Sequence, residues 1–243
     1  MTFRLNPPPD QPGQPEPEDL TLRITGVQAR PREQEDREPD RSQLELRLAT
    51  TRGEISALLD VSEGQTGALI TCSGAMGGEH ETRGPADSVY QRLAERLPAE
   101  GISTLRIHYR IAGEFEECVL DLLGACSFLS GIGAERIVLA GHSFGGAVVI
   151  KTAQILPQVQ GVISLSPQLF GTRQVNEMDK PLLLIHGTAD AILHHMASED
   201  IYERANEPKR LVLVDGGGHG LAEDPELVMS EMHQFVHEHA GPR

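Results

Sequence analysis

Tryptophan is absent, and aromatic residues make up only 4% of the 243-residue chain. That scarcity excludes a large aromatic stacking platform. Cysteine is nearly as rare: Cys72, Cys118 and Cys126, with no CxxC pair among them. An odd, low count of this kind argues against a disulfide framework or a cysteine-based zinc site. Cys72 ends an apolar run, while Cys118 and Cys126 share one face of a predicted helix, so core packing is the expected role of all three. Basic residues are also under-represented. Lys and Arg total 21 against 36 Asp and Glu, a net charge of −15. Such a chain repels phosphate backbones and anionic lipid, so neither nucleic acid nor a membrane surface is an expected partner. No run of about 18 apolar residues offers a membrane span. The opening residues lack a basic start followed by an apolar stretch, so no secretory signal is read and a cytoplasmic location is the expectation.

Hydrophobic residues still reach 39%, enough for one sizeable core, and the length suits a single α/β domain. Residues 1–18 hold Pro7, Pro8, Pro9, Pro12, Pro15 and Pro17 with few large apolar residues between them. They are read as an extended or disordered tail, ahead of one domain over residues 19–243. The stretch Leu20–Ala29 alternates as a half-buried strand, and Arg30–Ser42 mixes charges as a solvated loop. Leu44, Leu46 and Leu48, a turn at Thr51–Gly53, and then Ile55, Ala57 and Leu59 predict an antiparallel hairpin.

From Gly67 onward the pattern changes. The short apolar run at 68–72 reads as a strand buried on both faces, and 103–109, 136–141, 161–166, 181–187 and 210–215 read as further strands. Helical stripes lie between them: Val89–Leu97, Phe115–Leu129, Gly145–Leu156 and Ser198–Ala205. A last helix starts at Asp224-Pro225, where the aspartate caps and the proline needs no partner. Strand and helix in alternation imply right-handed crossovers and a mostly parallel sheet covered on both faces.

Gly141-His142-Ser143-Phe144-Gly145-Gly146 is the strongest chemical signal. It fits G-x-S-x-G between an apolar strand and a helix, the context in which that motif forms a sharp turn exposing a nucleophilic serine. The glycines leave room for neighbouring backbone, and the helix N-terminus favours developing negative charge. A serine hydroxyl needs a base. His219, in the glycine-rich loop after strand 210–215, follows late in the chain. The base needs a carboxylate to fix its tautomer, and Asp190 lies just beyond strand 181–187. Asp215 is the rival acid, but it stands only four residues before His219 and is expected to serve the turn. His186 is expected to pack beneath the site. Two amides are expected to form an oxyanion hole: that of Phe144, and that of Ala75 or Met76 from the loop Ser73–Gly78. Tyr109, Arg110, Phe170, Ile192 and His194 are candidate substrate-binding residues, Arg110 toward an anionic group. No metal or organic cofactor is called for, and the adjacent His194 and His195 lack a third ligand.

GHSFGG, LLLIHGTAD and GGGHG, in this order, resemble the α/β-hydrolase superfamily over roughly residues 44–240. Within it the chain is similar to the dienelactone-hydrolase-like and small serine-esterase branch. The resemblance implies an eight-stranded, mostly parallel sheet, a Ser143–His219–Asp190 triad and hydrolysis through an acyl-enzyme. Dienelactone hydrolases carry a cysteine where this chain has Ser143, so their substrate is not expected. The segment Pro167–Lys180 is too short for a cap domain, which points to small or medium acyl esters. Thioesterase, peptidase or acyltransferase chemistry would use the same three residues. A non-catalytic binding module on this fold would commonly have lost one of them.

Overall fold

A computed structural model describes residues 3–4, 21–32, 42–77 and 82–242. Nine strands form one sheet in the order β11-β10-β9-β8-β6-β7-β5-β4-β3. The antiparallel portion is β3 (Ile24–Pro31), β4 (Gln43–Thr50) and β5 (Gly53–Asp60). The parallel portion is β6 (Gly67–Cys72), β7 (Ile102–His108), β8 (Arg136–His142), β9 (Val159–Leu165), β10 (Leu182–Gly187) and β11 (Lys209–Val214). The helices are α1 (Pro85–Arg96), α2 (Phe115–Gly131), α3 (Phe144–Ile155), α4 (Met196–Arg204) and α5 (Pro225–Ala240).

The apolar runs of the central strands are explained by two cores, one on each face. Successive side chains point to opposite faces. Accordingly Ile137, Leu139, Leu182 and Leu184 pack with α2, α3 and α4, while Val138, Ala140, Leu183 and Ile185 pack with α1 and α5. At the start of α5, the Asp224 side chain accepts from the Leu227 amide at 3.0 Å, as its place before Pro225 predicted. The three cysteines are free and buried.

Three expectations change. The sheet has nine strands rather than eight, because β3 adds an antiparallel edge. The half-buried strand expected there is instead mostly exposed, and Arg30 and Pro31, read as loop, pair with Glu45 and Leu44. The 20–29 stretch is also two strands, since Thr21–Leu22 (β2) pairs instead with Phe3–Arg4 (β1). Phe3 and Arg4 belong to the proline-rich segment read as a tail; the rest of residues 1–18, and residues 33–41 of the charged loop, lie outside the described residues.

The topology positions the site. From β6 the chain moves to β7 on one side, then crosses to β8 on the other and continues through β9, β10 and β11. The carboxyl ends of β6 and β8 therefore flank the point where the winding reverses, the crevice where open α/β sheets bind ligands.

Candidate active site

Ser143 follows β8 directly at this reversal. Its backbone takes φ 58° and ψ −118°, a conformation disfavoured for any residue with a Cβ. Its surroundings hold it there. Its amide donates to the Leu165 carbonyl at 2.8 Å, and its carbonyl accepts from the Gly146 amide at 3.0 Å. The flanking glycines are sterically required. A Cβ on Gly141 would lie 2.2 Å from the Gly145 carbonyl oxygen, and one on Gly145 would lie 2.3 Å from the Ser73 carbonyl oxygen. The second contact also brings the loop after β6 against the turn.

Asp190 follows β10 and is buried. Its Oδ1 accepts from the Ile192 and Leu193 amides at 2.8 and 2.9 Å. Its Oδ2 lies 2.7 Å from His219 Nδ1 and 3.1 Å from His186 Nε2. Burial alone would raise the carboxyl's pKa, but the hydrogen bonds from His219, Leu193 and Ile192 outweigh it and hold the pKa below the usual value. The aspartate is thus an anion whose four acceptor positions are filled, one of them by the imidazole of His219.

The loop carrying His219 is fastened at several points. The Gly220 carbonyl accepts from the Ala86 amide at 2.6 Å, and Glu223 accepts from the Gly218 amide at 3.0 Å. His142, which precedes Ser143, donates through Nε2 to the His219 carbonyl at 2.8 Å. The two imidazole rings lie 4.7 Å apart between centroids. Burial pushes His142 down to about 4 despite that bond, so it is neutral near pH 7. Sequence reasoning missed this residue: it is the unspecified position of G-x-S, and its partner is a backbone atom 77 residues away. Among the described residues, neither the Ser143 hydroxyl nor His219 Nε2 has a protein hydrogen-bond partner, so both are available to a ligand.

His186 lies beneath the site as anticipated, between Ser198 Oγ at 2.7 Å and the Leu193 carbonyl at 2.8 Å. Asp215 is exposed, and the Thr188 hydroxyl reaches it only at 3.4 Å. The Phe144 amide stands at the first position of α3, where no intrahelical acceptor exists. Ala75 and Met76 are exposed on the loop after β6. Among the described residues no backbone acceptor outside the helices and strands engages these three amides.

The candidate substrate residues divide. Phe170 is exposed and packs edge-on against Phe115, which in turn meets Phe144 edge-on. Tyr109 also meets Phe144 edge-on, at 6.2 Å. Burial pushes its phenol pKa well up, with Cys72 adjacent, and its hydroxyl oxygen is buried away from the surface. Ile192 and His194 are exposed on the loop after Asp190, where His194 Nδ1 accepts from the Met196 amide at 3.3 Å. Arg110 is a correction. Its side chain is 3% exposed and bound to Asp121 and Glu117, with a further bond to the Arg52 carbonyl at 2.8 Å. Four of its five N–H donors are so committed, and its burial keeps it from meeting a substrate anion.

The sheet order, the strained serine after β8 and the acid and imidazole loops after β10 and β11 define an α/β hydrolase. Within that class the chain belongs to the phospholipase/carboxylesterase family, whose pattern matches residues 107–240. Among curated proteins, an uncharacterized protein of Mycobacterium tuberculosis is 27% identical, over 69% of this chain and 66% of its own length. The protein YfhR of Escherichia coli K12 is 54% identical over 37% of this chain and 40% of its own. The chain thus spans less than two thirds of these relatives. Among solved structures, the esterase Pf2001 of Pyrococcus furiosus superposes with a TM-score of 0.70 at 19% identity, covering 82% of this chain and 91% of that one. A dienelactone hydrolase from Anabaena variabilis gives 0.69 at 20% identity, covering 82% and 99%. Both share the fold.

Proposed function

We propose that this protein is a serine hydrolase that cleaves small or medium acyl esters through Ser143, His219 and Asp190. The observation that carries the reading is the strained backbone of Ser143, φ 58°, at the winding reversal. Backbone bonds hold the conformation, but among the described residues the hydroxyl has no protein partner that would favour serine over glycine there. The 2.7 Å contact of His219 Nδ1 with Asp190 supports it, as does the membership in the phospholipase/carboxylesterase family.

In this mechanism Ser143 Oγ attacks the ester carbonyl carbon while its proton passes to His219 Nε2. In the resting protein the two groups are not hydrogen-bonded; such contacts often tighten only around substrate. Asp190 stabilises the imidazolium and fixes its tautomer. The amides of Phe144 and Ala75, with Met76 as the neighbouring donor, hold the oxyanion, each worth roughly 3–4 kcal/mol of barrier. The imidazolium then protonates the leaving alcohol. Water, deprotonated by His219, releases the acid and restores Ser143.

The substrate class follows from the rim. Of the nine exposed large hydrophobic residues described, five (Met76, Ile111, Leu169, Phe170 and Ile192) lie on loops that follow parallel strands at this edge, and a sixth, Met196, begins α4. Clustered exposed apolar side chains mark a binding surface, and here they suit an acyl chain. p-Nitrophenyl esters of graded length test the reading. Each methylene that finds the rim should raise kcat/KM up to about fourfold, from ~0.8 kcal/mol per buried CH₂. Phe170→Ala should flatten the trend. Equal rates for acetate and hexanoate would contradict the acyl role of the rim, and no hydrolysis of any ester or thioester would contradict the enzyme itself.

A further inference from the structure

A second cluster of chemically potent side chains lies at the opposite edge of the sheet. Glu100 closes a short 3-10 turn, Leu97–Glu100, just before β7 begins. His233 and His237 stand one turn apart on α5, a spacing that sets both rings on one face. Their Nε2 atoms converge on the same carboxylate oxygen, Glu100 Oε2, at 2.7 and 2.5 Å. The ring centroids are 4.6 Å apart. All three donor atoms fall within 4.8 Å of one another, and no other group of three such residues does so among the described residues. The other carboxylate oxygen, Oε1, is held by Arg96 Nε at 2.6 Å. All three side chains are partly buried, between 21% and 34% exposed.

We infer that Glu100, His233 and His237 form a binding site for a divalent transition-metal cation of the zinc type. Two imidazoles and one carboxylate are ligands this ion accepts, and a fourth tetrahedral position stays open to water. Ligand atoms around zinc, at ~2.0–2.1 Å from the metal, are about 3.3 Å apart. Each imidazole therefore needs to retreat by less than about 1 Å. Glu100 is oriented from behind by Arg96, the kind of support that fixes a ligand's direction. The chain's charge of −15 favours cation capture. The nitrogen donors disfavour calcium and magnesium, which take oxygen ligands. The cation would staple the turn after α1 to the C-terminal helix. It sits at the amino ends of the parallel strands, away from Ser143, so its role is structural and independent of the proposed hydrolysis.

The experiment uses the full chain, stripped with a chelator. Zinc is titrated by calorimetry and by competition with a chromophoric chelator, and thermal midpoints are read in parallel. The expected result is one zinc per chain and, at one hundred times Kd, a midpoint about 5–10 °C higher. His237→Gln and His233→Ala should each weaken binding by about tenfold or more. Magnesium should produce no shift. Serine labelling by a fluorophosphonate should be the same with and without zinc, which keeps this site separate from the proposed one. No saturable binding by the wild-type chain up to millimolar zinc would overturn the inference. Undiminished binding by the folded His233→Ala/His237→Gln double variant would also overturn it.

Discussion

Replacing Asp190 by asparagine alters one atom in size hardly at all and reverses its hydrogen-bonding character. In the wild type, Oδ2 accepts from His219 Nδ1 at 2.7 Å and from His186 Nε2 at 3.1 Å. Oδ1 accepts from two amides. The substituted side chain can keep the amide bonds through its carbonyl oxygen. Its NH₂ then faces two ring nitrogens that had donated. His186 retains the Leu193 carbonyl at 2.8 Å as acceptor, but His219 Nδ1 has no other partner. The imidazole turns or adopts the tautomer with its proton on Nε2, and it can no longer accept from Ser143. The expected loss is about 10⁴-fold in kcat, near 5.5 kcal/mol at ~1.4 kcal/mol per factor of ten. The fold should survive, because only one or two net hydrogen bonds are lost, about 1–3 kcal/mol. Asp215→Asn supplies the contrast. Asp215 is exposed, and among the described residues its carboxylate accepts a hydrogen bond only from Thr188, at 3.4 Å, so that variant should stay within about threefold of wild type. Initial rates on the best p-nitrophenyl ester, with circular dichroism on each variant, decide between the two acids. An Asp190→Asn enzyme that is folded and within tenfold of wild type would refute the reasoning, most of all if Asp215→Asn were the damaged one.

Two further outcomes follow from buried groups outside the proton path. His142 has its pKa lowered to about 4 by burial, against about 6.5 in an unfolded chain. The folded state therefore resists a proton that the unfolded state accepts, and stability falls as pH drops from about 6.5 to about 4, by up to roughly 3 kcal/mol. His142→Gln keeps a donor but cannot titrate, so its thermal midpoint should fall less between pH 7.5 and 4.5 than that of wild type; parallel curves would contradict this. Arg110→Met leaves Asp121, whose side chain is 0% exposed, without its counter-ion. Removing one partner of a buried pair costs about 3–5 kcal/mol, which should lower the midpoint by about 6–20 °C. Activity per folded molecule should change less than threefold, and a selective loss on anionic esters would restore a substrate role for Arg110.

The strands and helices from Gly67 onward were legible because the central strands are buried on both faces and the helices bury apolar residues against them, so apolar spacing maps directly onto structure. The antiparallel strands were legible too, but not where the edge strand begins and ends. β3 pairs through its backbone while most of its side chains face solvent, and hydrogen bonds of the main chain leave no mark in hydropathy. The strained turn at Ser143 was readable from the glycines on both sides of it, and the meeting of Asp190 with His219 from the chain order expected of a triad. Arg110 was misread because its partners are on α2. The warning was present: Asp121 stands between Leu120 and Leu122 in a helix buried at all three positions, and a charge in such a place requires a buried counter-ion. His142 carried no warning at all, since a carbonyl acceptor has no residue type.

Labelling by a fluorophosphonate probe, followed by peptide mass mapping, tests the central claim most directly. The wild-type chain should take up one phosphonyl group, on Ser143, and the folded Ser143→Ala variant none. Modification elsewhere with Ser143 untouched, or a folded wild-type chain that stays unlabelled, would contradict the account.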